Sequence, residues 1–437
     1  MKPIHVGLLG LGTVGGGTLT VLRRNQAEIT RRAGRAILVK IAAVRDLSKA
    51  QTAYASEDIK ITTNPLDVVE NPEIDIVVEL IGGTDQAKDL VLKAIANGKH
   101  VVTANKALLA MHGNEIFAAA QARGVMVAFE AAVAGGIPII KAVREGLSAN
   151  RIEWVAGIIN GTTNFILTEM RDKGLAFDTV LAEAQRLGYA ESDPTFDIEG
   201  VDAAHKLTIL AAIAFGIPMQ FDKAYIEGIS KLTKEDIQYA EELGYRIKLL
   251  GITKRVAQGI ELRVHPTLIP TKRLIANVEG VMNAVLVKGD AVGATLYYGR
   301  GAGAEPTASA VVADLVDVTR MHTADPEHRV PHLAFQPDAL SDAPILPMSE
   351  VRTAYYLRMR AFDQPGVLAD ITRILADLEI SIDAMIQKEP DEGQALVDII
   401  MLTHVTVEKN VNQAIAKIEA LSTISGKVTR LRLETLG

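Results

Sequence analysis

Residues 188–210, GYAESDPTFDIEGVDAAHKLTIL, set five carboxylates (Glu191, Asp193, Asp197, Glu199 and Asp202) ahead of a single amine, Lys206, and then turn apolar. Gly200 precedes the apolar run, and Gly216 with Pro218 ends it, so the spacing predicts a helix from about Val201 to Phe215. Asp202 and Lys206, four apart, share one face of that helix. A helix-stabilising surface ion pair is the plain reading of such a spacing. The neighbours of Lys206 are Ala and Leu, however, so its amine is expected to be partly buried. A desolvated lysine beside an acid can give and take a proton, and the acids of the preceding loop suit a substrate ammonium group. His205 reads as a packing residue, because no other histidine stands at metal-ligand spacing.

A second constellation lies at the start of the chain. VGLLGLGTVGGG holds Gly10, Gly12 and Gly15 at the G-x-G-x-x-G spacing, after a strand-like run and at the head of a helix. Glycines there allow a tight turn and close approach of a pyrophosphate to the helix N-terminus, which predicts dinucleotide binding. The second strand ends AAVRD. Asp46 suits the ribose hydroxyls of NAD and Arg45 the 2′-phosphate of NADP, so both cofactors stay open. Thr103, Asn105 and Lys106 end a later strand, where parallel sheets bind their ligands, although a solvated lysine is also expected at such a place. A dinucleotide site beside a proton-handling lysine points to hydride transfer to or from a carbonyl.

These residues need elements to hold them. Over the first 135 residues strand-like and helix-like pieces alternate, which predicts a Rossmann-type parallel sheet. From 136 to 303 longer helices mix with alternating strands, which predicts an α+β domain. Residues 321–350 are proline-rich with little periodicity and read as a linker. Residues 351–437 read strand, helix, strand, strand, helix, strand, the ferredoxin-like βαββαβ order. A length of 437 residues fits such a division. The net charge of −7 and the lack of a long basic run argue against nucleic acid as a partner. No apolar stretch is long enough to span a bilayer. With no cysteine the chain can hold neither a disulfide nor a thiol nucleophile, and a cytoplasmic location is expected.

Six segments in order, GLLGLGTVGGG, VTANKALLA, FEAAVAGGIPII, GIINGTTNFILTEM, GYAESDPTFDIEGVDAAHKLTIL and YYGRGAGAEPTASAVVADL, resemble the homoserine dehydrogenase family, in its long bacterial form with a C-terminal ACT domain. The resemblance spans essentially the whole chain. It implies interconversion of L-aspartate 4-semialdehyde and L-homoserine with NAD or NADP, on the route to threonine, methionine and isoleucine. By that resemblance Lys206 is the general acid/base, Asp202 orients it, and Lys106 lies near the reacting centre. Glu191 and Asp197 hold the amino-acid end of the substrate, with Gly161 and Thr162 lining the cleft. Thr13, Val14, Arg45, Thr84 and Thr103 join the glycines at the dinucleotide, and Gly303 and Glu305 close over the site. A sodium ion is implied on the backbone carbonyls of Glu130, Val133, Gly135 and Ile137. In the tail, AFDQPGVLADITRILADLEISI resembles half of an ACT module, which implies an amino-acid effector, threonine, near Asp363 and Gly366; a role in oligomerisation alone is the alternative. By the same resemblance 136–303 is the substrate-binding and dimerisation domain, 304–320 returns to complete the first domain, and a homodimer or homotetramer is expected. Two rivals stand beside this reading: a dehydrogenase of another semialdehyde, and a sensor that binds a dinucleotide and an amino acid without turnover.

Overall fold

The computed structural model describes residues 2–54, 58–388 and 395–437. Strand β1 (Ile4–Leu9) is apolar and buried at nearly every position, as a central strand of a parallel sheet must be. It passes through the glycine turn into α1 (Thr13–Arg24). Strands β2 (Ile37–Ala43), β3 (Lys60–Thr62), β4 (Ile76–Glu79) and β5 (His100–Thr103), helix α2 (Lys106–Arg123) and strand β6 (Val127–Ala128) follow. All six strands are parallel, in the order β3-β2-β1-β4-β5-β6. The order reverses between β1 and β4, and the crevice at their carboxyl ends is where such sheets take ligands.

A second sheet is built from β7 (Ile152–Ile158), β8 (Tyr245–Val256), β9 (Gly259–Pro270), β10 (Met282–Gly289) and β11 (Gly293–Arg300), antiparallel in the order β11-β10-β7-β8-β9. Helix α3 (Gly161–Lys173) follows β7, and α4 (Val201–Phe215) packs against β7, β8, β9 and α2. Every residue of α4 is buried except Val201 and Lys206, so beyond the polar first turns that carry Asp202, His205 and Lys206 the helix is apolar on nearly every side because it is enclosed. Helix α5 (Ala304–Met321) then returns to lie on α1. The contact is close enough that a side chain at Gly17 would meet the Ala304 carbonyl at 2.6 Å.

Residues 321–350, expected as a linker, run for the most part as a packed strap. His332 Nε2 accepts the Val127 N–H and its ring stacks on Phe117. Ser341 N–H donates to the Gly216 carbonyl at the end of α4, and Ile345 bridges Ile260 on β9. The tail comprises β12 (Arg352–Phe362), α6 (Val367–Asp377), β13 (Ile382–Gln387), β14 (Leu396–Thr403), α7 (Glu408–Glu419) and β15 (Ile424–Leu433), with strand order β15-β12-β14-β13. This is the expected βαββαβ order. Its sheet is not free-standing, however. The end of β15 pairs in parallel with β9, Thr267 against Arg432 and Leu268 against Leu433, so the second and third units share one continuous sheet.

Candidate active site

Asp202, in the first turn of α4, is the junction of the site. Its Oδ2 lies 2.7 Å from Lys206 Nζ and its Oδ1 3.0 Å from Lys106 Nζ. Lys206 comes from the same helix one turn on. Lys106 comes from the first domain, where Asn105 caps α2 by accepting the Leu108 N–H and so fixes the turn out of β5. Lys206 Nζ also donates to the Ile159 carbonyl at 2.8 Å, which spends a further proton of the ammonium at the end of β7. Both lysines the sequence singled out thus meet on one carboxylate at the boundary of two sheets.

Their electrostatics separate them. Burial would raise the Asp202 carboxyl, but the charges of Lys206 and Lys106 outweigh it and hold the group well below the carboxylate range. Burial, reinforced by the Lys106 charge, lowers Lys206 below the ordinary lysine value, with Asp202 only partly offsetting it. Burial also works against the Lys106 ammonium, yet Asp202, with Asp197 and Glu191 further out, raises it on balance. The side chain of Lys206 is 12% exposed and that of Lys106 36%. One amine is therefore a fixed cation and the other is biased to give up its proton.

The five carboxylates divide. Asp197 and Asp202 are tied together by Asn160, whose Nδ2 donates to Asp197 Oδ1 at 2.8 Å and Asp202 Oδ2 at 2.9 Å. Thr162 Oγ1 lies 2.7 Å from the Tyr189 carbonyl and 3.1 Å from Asp197 Oδ2, and shares its one proton between them. Glu191 is exposed at the rim. Asp193 is spent on the Thr195 N–H, and Glu199 lies against Gly228. Gly161 lets the chain pass the Val281 carbonyl, which a Cβ would meet at 2.8 Å. Asn160 was not singled out in the sequence, although its place ahead of Gly-Thr-Thr at a helix start is a capping signal: Oδ1 accepts the Thr163 N–H. His205 is buried between Phe196 and Phe221, and burial lowers it to about 4, as a packing residue.

The dinucleotide cleft, ≈ 1070 Å³, opens at the switch point. Gly10 has φ +101°, and a Cβ on Gly15 would lie 2.2 Å from the Gly10 carbonyl, so these two close the turn. A Cβ on Gly12 would meet nothing, which leaves the helix N-terminus open to a phosphate. Thr13 starts α1 and Val14 lies at the wall shared with Gly82, Gly83, Thr84 and Lys106. Arg45 and Lys49 line the far end. Asp46 is occupied as the cap of the next helix, accepting the Lys49 N–H and the Ser48 hydroxyl. Thr103 points down, away from the cleft: it is fully buried and donates to Glu79 Oε2 at 2.7 Å. Glu79, unread in the sequence, also accepts the Ile81 and Gly82 N–H groups and so ties the loop after β4 to that after β5. Gly303 opens α5, and Glu305 is held by Arg24 at 2.8 and 3.0 Å rather than at the lysines.

The loop 130–137 is buried beside α5. The Glu130 carboxylate accepts the Ile140 and Lys141 N–H groups, so only its backbone oxygen remains for a ligand role. The Ile137 carbonyl accepts the Ile139 N–H, whereas those of Val133 and Gly135 accept no hydrogen bond among the described residues. Three of the four implied backbone oxygens, those of Glu130, Val133 and Gly135, thus accept no hydrogen bond among the described residues, and oxygen donors are the kind a hard cation takes. At the tail, Asp363 follows β12 and Gly366, at φ +95°, precedes α6. Both lie on the order of 25 Å along β12 from its pairing with the end of β15.

A family model described as "Homoserine dehydrogenase" matches residues 138–316, one described as "Homoserine dehydrogenase, NAD binding domain" matches 10–130, and one described as "ACT domain" matches 355–423. A homoserine dehydrogenase of Pseudomonas aeruginosa is 67% identical over 437 residues, with 100% of each chain covered. The chain belongs to the homoserine dehydrogenase family. A relative from Neisseria gonorrhoeae is 60% identical, again over 100% of each chain. The crystal structure of a homoserine dehydrogenase from Thiobacillus denitrificans superposes with a TM-score of 0.96 at 78% identity, covering 100% of this chain and 99% of that one. A hyperthermophilic archaeal homoserine dehydrogenase in complex with NADPH matches with a TM-score of 0.63 at 26% identity, covering 74% of this chain and 99% of that one. The dehydrogenase assignment and the NAD(P)-binding domain therefore stand together with the ACT domain.

Proposed function

We propose that the chain interconverts L-homoserine and L-aspartate 4-semialdehyde, with Lys206 as the proton-transferring group. The observation that carries this reading is the meeting of Lys206 and Lys106 on Asp202 at the mouth of the dinucleotide cleft. The dinucleotide, when bound, supplies or accepts the hydride. In reduction Lys206 donates a proton to the aldehyde oxygen as that oxygen gains charge, and in oxidation it receives the alcohol proton. Asp202 aims the amine, and Lys106 keeps a positive charge at the reacting end. Asp197, with Glu191 at the rim, receives the substrate ammonium. A sensor has no need of a lysine biased to lose its proton, which favours the enzyme over that rival.

NADP is the preferred partner in this reading, because Asp46 is spent as a helix cap while Arg45 and Lys49 line the cleft and supply positive charge for a 2′-phosphate. Threonine is the proposed effector, received at Asp363 and Gly366. Sodium on the loop 130–137 would hold that turn against α5, and a higher melting temperature in sodium than in potassium is its test. The proposed setting is the cytoplasm, as a homodimer or homotetramer formed through the second sheet. The main experiment is the initial rate of nicotinamide reduction with L-homoserine, run with NADP⁺ and NAD⁺ in parallel. Homoserine-dependent reduction, faster with NADP⁺, is expected. Folded protein without turnover on either cofactor would sink the assignment.

A further inference from the structure

The last strand of the tail reaches the substrate acids through a short chain of contacts. Arg432, on β15, is fully buried. Its Nη1 donates to Glu227 Oε2 at 2.8 Å, its Nη2 to the Tyr225 hydroxyl at 3.0 Å, and its Nε to Glu408 Oε2 at 3.0 Å. Glu227 Oε2 also receives the Tyr225 hydroxyl at 2.6 Å and Arg430 Nη2 at 3.3 Å. The segment it anchors pairs with β9 through Tyr225 and Ile226, and the Glu227 N–H donates to the Val264 carbonyl. The next residue, Gly228, is pressed against the substrate turn: a Cβ there would lie 2.4 Å from the Ile198 carbonyl and 2.5 Å from Glu199 Cα. Ile229 N–H then donates to that same Ile198 carbonyl at 2.8 Å. Ile198 is the neighbour of Asp197, which holds Asn160 and Thr162.

We infer that Glu227 is a positioning residue through which the ACT strand β15 sets the turn that carries Asp197. Glu227 touches neither lysine; it acts by fixing where Gly228 and Ile229 meet the backbone of Ile198. Two guanidinium groups converge on one largely buried carboxylate, so any movement of β15 against β9 must either carry Glu227 with it or leave charges unpaired. The substrate turn, held on its other side by Asn160 and Thr162 through Asp197, is thereby set between two anchors, one of which moves with β15. The same contact runs in reverse: a ligand that orders Asp197 must also steady β15.

The inference rests on the proposed reaction, and its test separates the two. Steady-state rates are measured for the full-length protein, Glu227→Gln and Gly228→Ala, the second leaving every charge in place. Both variants are expected to raise KM for homoserine about tenfold while KM for NADP⁺ stays within about twofold, a split that a mere loss of folded protein cannot produce. On the unaltered protein, homoserine with NADP⁺ is expected to slow amide hydrogen exchange in residues 424–433. Wild-type protein inert with homoserine would sink the proposed reaction and this inference with it. Wild-type turnover with both variants at the wild-type homoserine KM, or losing kcat alone, would overturn the inference only. So would exchange in β15 that ignores the substrate.

Discussion

Asp202 carries two ammonium groups and an amide at once, and its three partners decide what each lysine can do. Lys106 is more exposed and strongly paired, so it stays charged; Lys206 is enclosed and sits in the field of Lys106, so it is the one that titrates. Replacing Lys206 with Ala should lower kcat about 10²–10⁴-fold, the usual worth of a positioned acid/base, and leave NADP⁺ binding intact by fluorescence titration. Loss of cofactor affinity with turnover retained would contradict its role. A pH prediction follows from Asp202. Homoserine oxidation needs the neutral amine, so its rate should rise with pH through the lowered Lys206 value. Aldehyde reduction needs the ammonium and should fall over the same range. Asp202 favours the ammonium form, so Asp202→Asn removes that support, lowers Lys206 further and moves both limbs to lower pH. Unmoved limbs in the variant would mean that another group titrates.

At the scale of the element, the strand–turn–helix from β1 to α1 divides work among three glycines that look alike in the sequence. Gly15 is needed for packing, because a Cβ would collide with the Gly10 carbonyl; Gly12 is needed for the ligand, because nothing of the protein stands near it. Gly15→Ala should therefore destabilise the fold by about 1–3 kcal/mol, read as a lowered melting temperature. Gly12→Ala should leave the melting temperature near wild type and raise KM for NADP⁺. If both variants lost stability equally, the turn would be structural throughout. The motif in the sequence announces the turn and the helix but not this division, which depends on where Gly10 lies once the turn closes. The capping acid Asp46 is a similar case: the sequence offers it to the ribose, and the local helix takes it.

At the scale of the whole molecule, the unit expected as a C-terminal domain beyond a linker completes the sheet of its neighbour. β15 covers the edge of β9, and Glu434 lies 2.6 Å from Arg263, a side chain only 2% exposed that otherwise keeps Glu261 and His265. Ending the chain at residue 350 would uncover that edge and strip partners from Arg263 and Glu227. The shortened protein should aggregate on size-exclusion chromatography; a monodisperse, fully active product would show the tail to be an independent module. The proline-rich strap points the same way, since its prolines set an extended path that docks on Phe117, Gly216 and Ile260 in turn rather than leaving a loose tether.

Much of this was legible in the residues themselves. The parallel sheet, the βαββαβ order, the helix Val201–Phe215 and the pairing of Asp202 with Lys206 all follow from periodicity, punctuation and i,i+4 spacing, which are local properties of the chain. Lys106 reaching the other oxygen of Asp202, Asn160 binding two acids, Glu79 beneath Thr103 and Arg432 behind Glu227 were decided only when distant segments packed together. In each case a buried charge or amide takes whatever partner the fold brings within hydrogen-bond reach, and that partner is set by the crossing of elements, not by neighbours in the sequence.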